Sequence, residues 1–164
     1  MLETYVIGFD TYADAREAVD AILKEGFREE DINAIVQDKI VKGATDVDWK
    51  TIRAEKSDPP GTRGLDMIVA GKDTVITQDA GEVIAAGDIA RVIVNTAASD
   101  ERGPSTLADA LAGSGVPDQA AAKHRDRLAS GGVTLILRVH DERGRRSLSA
   151  VEPFHPRDRV KTQP

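Results

Sequence analysis

The stretch Tyr5–Val36, YVIGFDTYADAREAVDAILKEGFREEDINAIV, decides the fold. YVIGF is a short apolar run of the length of a buried strand. Asp10-Thr11 breaks it and starts a helix: Thr11 can cap with its hydroxyl, and Asp14 stands where a capping box places an acid. Ala15, Ala18, Val19, Ile22 and Leu23 then recur at the three/four spacing that lines one helical face. Gly26 stops the helix as a residue free to turn left-handed, and Phe27 is expected to fold back on the last turn. After a polar connection, Ile32–Val36 reads as a second strand. A strand–helix–strand unit this short places its two strands parallel, although not necessarily adjacent.

Working outward, the C-terminal half echoes this unit. Pro117 suits a helix start, Ala121, His124 and Leu128 share a face, and Gly131-Gly132 ends the helix. In Val133–Val139 alternate residues point opposite ways, the pattern of a half-buried strand. Between the halves, Val75-Ile76, Glu82–Ala86 and Ala90–Val94 read as a meander, with Gly87-Asp88 as a hairpin turn. A polar insertion at about 39–72 holds Asp58-Pro59-Pro60-Gly61, a short strand near Leu65–Val69, and the only tryptophan, Trp49. The expected architecture is α/β (α+β): a ferredoxin-like sandwich of two β-α-β units, with the insertion and a β-hairpin between them. The domain runs over residues 1–141, and a basic tail over 142–164 frays from about Pro156.

Two passages carry a family resemblance. The opening stretch is similar to the first half of small bacterial general stress proteins, also described as heat- or low-temperature-induced. VIAAGDIARVI and LAGSGVPDQAAAKHRDRLASGGVTLILRV resemble their second half, in the order GVP, helix, GG, strand. Together these cover about half the chain. The resemblance implies a ferredoxin-like fold and a non-enzymatic role, and it carries no catalytic residues. Many relatives have a glycine-rich apolar segment between the halves. Here Asp46–Gly64 is polar, so no membrane role is carried over.

Composition narrows function further. The 164 residues hold no cysteine, which excludes disulfides, thiolate metal sites and a cysteine nucleophile. The N-terminus lacks a signal-peptide pattern and no apolar run reaches membrane-helix length, so a cytoplasmic protein with no membrane partner is expected. A net charge of −6 argues against general nucleic-acid binding. Aromatic residues make up only 4%, so the core must be aliphatic and rich in alanine. Such a core predicts modest stability or help from a second copy, and a homodimer is the expected assembly.

Candidate chemistry is sparse. No catalytic constellation, metal site or cofactor motif stands out. His124 reads as a packed, hydrogen-bonded residue at the core edge rather than a ligand. His140, with Asp141 and Glu142 beside it and Arg138 two residues earlier, closes a strand end and is a candidate ligand contact. Trp49 is the aromatic contact a closing insertion could supply. Ser114 and Gly115, before the Pro117 helix, could offer backbone N–H groups to an anion, although an ordinary interhelical loop is the simpler reading. Three functions follow as expectations. The first is a self-associating interaction or regulatory module in a stress-linked setting. The second is a small-molecule or anion-binding protein, or a minor enzyme, with a cleft between sheet and insertion. The third is an adaptor whose Arg143–Arg146 tail meets nucleic acid or an acidic protein.

Overall fold

A computed structural model describes residues 2–45, 64–72, 74–98 and 106–162. The first unit forms as its pattern dictates: β1 (Glu3–Phe9), α1 (Tyr12–Lys24) and β2 (Ile32–Gln37). Thr11 caps α1, its hydroxyl accepting from the Asp14 N–H at 3.1 Å. Ala15, Ala18, Val19 and Ile22 are buried along one face. Burying a side chain the size of Ile22 is worth about 1.5–3 kcal/mol. Gly26 takes φ +93° past the helix end, and the Phe27 N–H returns to the Ile22 carbonyl at 3.0 Å.

There follow α2 (Asp38–Thr45), α3 (Gly64–Val69), β3 (Thr74–Thr77), β4 (Gly81–Ala86) and α4 (Asp88–Ala98). The chain continues through α5 (Leu107–Gly113), α6 (Asp118–Ala129), β5 (Val133–Val139) and α7 (Glu142–Ser147). A 3-10 stretch over Leu148–Phe154 leads to β6 (Arg157–Lys161). The six strands form one sheet in the order β3-β4-β2-β5-β1-β6, with every neighbouring pair antiparallel.

Both β-α-β units are therefore present, and each is split. β1 and β2 are parallel and straddle β5, while β4 and β5 are parallel and straddle β2. Helices cover both faces of the sheet. α1, α2, α3 and the 3-10 stretch pack on the face made by Ile7, Phe9, Ala34, Leu135 and Leu137. The other face, with Val6, Ile35, Val83 and Ile136, is covered by α4, α5 and α6. The two strand hops are related by a two-fold normal to the sheet. Connections on opposite faces must then have opposite hands, so one runs against the right-handed preference. Three helices and their loops separate β4 from β5, long enough to cross either way.

Several local expectations change. β5 is buried on both sides rather than half-buried, because it lies between β1 and β2 with helices above and below. Ala90–Val94 is helical, within α4, and the hairpin is β3–β4, turning at residues 78–80. Asn33 of β2 explains the helix. Its side-chain oxygen accepts from the backbone N–H groups of Ile89 and Ala90, at 2.9 and 3.2 Å, and so caps α4 from a different strand. Leu65–Val69 is likewise helical, in α3. It is pinned where the buried carboxylate of Asp66 accepts from the Tyr12 hydroxyl at 2.6 Å and from Arg16 at 3.0 Å. The tail does not fray at Pro156: Arg157–Lys161 is β6, paired with β1.

Candidate functional site

Arg138 and His140, at the end of β5, line one cavity. Its walls come from three other segments that meet there. These are the Gly26-Phe27 turn after α1, the Arg28–Asp31 connection, and α7 with the Asp141 before it. Gly26 ends α1 beside the Arg143 guanidinium. Its positive φ suits a residue without a side chain, and a Cβ there would stand 2.9 Å from Nη2 of Arg143. The glycine thus ends α1 and clears space for the Arg143 guanidinium.

Three arginines (Arg28, Arg138, Arg143) and two acids (Asp31, Asp141) are among the residues that line the cavity. Both acids are already engaged. Asp31, nearly fully buried, holds Nε2 of His140 at 3.0 Å. Asp141 caps α7 by accepting from the Gly144 N–H at 2.8 Å. Arg28 pairs with Glu30. Arg138 and Arg143 make no ion pair among the described residues, and the Arg143 guanidinium lies beside Gly26 at the cavity. The cavity measures about 190 Å³. That is below the roughly 300–1,000 Å³ of sites that take drug-sized ligands, so it suits an anion of a few heavy atoms. Beyond Arg28 it adjoins an open groove of about 660 Å³ floored by Ile32 and Ile68.

The remaining sequence candidates do not join this site. Trp49 lies outside the described residues. Ser114 and Gly115 close the end of α5: their N–H groups donate to Ala110 and Ala112 carbonyls at 3.2 and 3.1 Å, and the Ser114 hydroxyl donates to the Leu111 carbonyl at 2.8 Å. Donors spent this way are not offered to an anion. Arg143, Asp31 and Gly26 were missed as site residues, since only the fold brings three separate segments to the end of β5.

His124 is fully buried, and its Nε2 donates to the Asp158 carbonyl at 3.0 Å. Burial, with Arg127 nearby as a lesser cause, pushes its pKa down to about 4. Its Nδ1 finds no partner among the described residues. Four of the six tail cations are ion-paired, to Glu3 and Asp10 of the body and to Glu142 and Glu152 within the tail itself. Arg145 pairs with Glu3 and Glu142, Arg157 with Asp10 at 3.4 Å, Arg159 with Glu152 at 2.9 Å, and Lys161 with Glu3 at 3.0 Å. Among the described residues no cluster of three or more His, Asp or Glu could hold a metal ion, and no helix is long and apolar enough to cross a membrane.

In comparisons with known proteins, no family model, curated protein or solved structure matches the chain.

Proposed function

We propose that the protein is a non-enzymatic binding module that takes a small anion, a phosphate or a carboxylate, in the cavity at the end of β5. The observation that carries this reading is a cavity of about 190 Å³ lined by Arg138 and Arg143, neither with an ion-pair partner among the described residues. Guanidinium groups recognise such anions through charge-assisted, often bidentate hydrogen bonds.

Binding is favoured over catalysis by how the neighbouring groups are spent. The His140 ring is held by Asp31 at 3.0 Å, and the Ser147 hydroxyl donates to the Arg143 carbonyl at 3.0 Å. Among the residues that line the cavity no hydroxyl is hydrogen-bonded to a base, as nucleophilic catalysis requires. The adaptor reading is weakened at Arg145, Arg157, Arg159 and Lys161, whose charges are paired, and is left with Arg143 and Arg146. A stress-linked role follows from the family resemblance alone. Chain abundance after heat or cold shift tests it.

Titration of the full chain with inorganic phosphate, and separately with small mono- and dicarboxylates, tests the binding. Two-dimensional NMR is the readout. Saturable shifts centred on Arg138–Gly144 are expected. Arg138→Gln and Arg143→Gln should each weaken binding tenfold or more, given the roughly 1.5–3 kcal/mol of a hydrogen bond to a charged group. Shifts that never saturate, or saturable binding unchanged by both substitutions, would remove the proposal.

A further inference from the structure

The two edges of the sheet are chemically unlike. β6 presents Arg157, Arg159 and Lys161, all exposed, along its edge. Such charges discourage pairing with another strand. β3 at the opposite edge reads Thr-Val-Ile-Thr, without a charge, and no strand among the described residues pairs its outer side. Ile76 on β3 is 76% exposed, the highest value among the exposed large hydrophobics of the described residues.

We propose that two copies of the chain join along β3, antiparallel, extending the sheet across a two-fold axis. A second copy is the occupant that charge and closure select. A two-fold axis sets like residues near one another, which the uncharged β3 tolerates. At β6 it would oppose cation to cation. Pairing β3 with β6 of another copy would be head-to-tail and would not close. Because the axis is normal to the sheet, facing residues share parity, and centring on Ile76 sets it against its own copy. α4 packs against β3 and carries Val92, 66% exposed, as further apolar surface on the opposite face of the sheet. Four residues of strand make a small interface, so the dimer forms in proportion to concentration.

Sedimentation velocity of the full chain from micromolar to millimolar concentration provides the test. A monomer–dimer equilibrium is expected, with nothing larger. Ile76→Lys and Thr74→Lys, both at exposed positions, should raise the dissociation constant about tenfold or more while leaving the circular dichroism unchanged. Arg159→Glu at the other edge should leave association as it is. A monomer at every concentration, a dimer that survives both lysine substitutions, or a growing series of oligomers that Arg159→Glu disrupts would each overturn the proposal.

Discussion

The imidazole of His124 on α6 and the carbonyl oxygen of Asp158 on β6 lie 3.0 Å apart, joined by a hydrogen bond that only a ring carrying its proton on Nε2 can donate. The Asp158 carboxylate meanwhile accepts from Arg127 at 2.6 Å, and the residue holds a left-handed φ of 51° to do both. One residue of the edge strand thus fastens β6 to α6 twice.

A dependence of stability on pH follows. The ring stays neutral in the folded protein down to about pH 4, whereas the unfolded chain takes up its proton near the ordinary value of 6.5. Protons therefore bind the unfolded state preferentially between these limits. The contribution is complete above pH 6.5 and is lost as pH falls towards 4, on the order of 3 kcal/mol in all. Urea denaturation at a series of pH values should show this slope. His124→Gln should be flatter than the parent between pH 4 and 6.5, and two parallel curves would refute the assignment.

Asp66 should be among the most sensitive positions. Its buried carboxylate accepts from Tyr12 and Arg16, so Asp66→Ala strands a largely buried cation and a buried hydroxyl together. A loss of about 3 kcal/mol or more is expected from breaking such a pair on one side. Tyr12→Phe, which leaves the Arg16 pair intact, should cost nearer 1 kcal/mol. Chemical denaturation ranks the two.

Removing the cap from another strand should weaken α4 without touching the helix itself. Asn33→Ala leaves the N–H groups of Ile89 and Ala90 without their acceptor, at a cost of about 1–2 kcal/mol. Asn33→Asp keeps an acceptor oxygen and should recover most of it. Hydrogen exchange at the start of α4 reports the effect locally.

Two glycines predict opposite outcomes. A Cβ at Gly132 would stand 2.4 Å from Cγ of Arg127 and 2.6 Å from the Phe9 carbonyl oxygen, so Gly132→Ala should destabilise by about 1–3 kcal/mol. At Gly43, within α2, nothing lies within 4 Å of the same atom. There alanine should add about 0.5–1 kcal/mol. Thermal melts separate the two.

The first β-α-β unit was legible because its signals are local: Thr11, the apolar face of α1 and Gly26 all fall within one short stretch. α4 was not. Ala90–Val94 carries β-branched residues that favour a strand, and the acceptor that starts the helix, Asn33, comes from 56 residues earlier. β6 has no apolar alternation to read, since Arg157–Lys161 is held by pairing with β1 and by contacts from Arg127 and His124. The site was half visible. Arg138 and His140 stand at a strand end that periodicity finds, but nothing local links them to Asp31 or Arg143.

The placement of β5 between β1 and β2 also bears on how the chain is made. During synthesis β1, α1 and β2 leave the ribosome well before residues 133–139, so the first two strands emerge with an open slot where their shared neighbour belongs. β2 can pair with β4 earlier, but β1 has no native neighbour until β5 is made, and a nascent chain stalled before it exposes aliphatic edges on β1 and β2. Translation arrest upstream of Val133 should therefore yield an aggregation-prone species that chaperones hold, rather than a folded half.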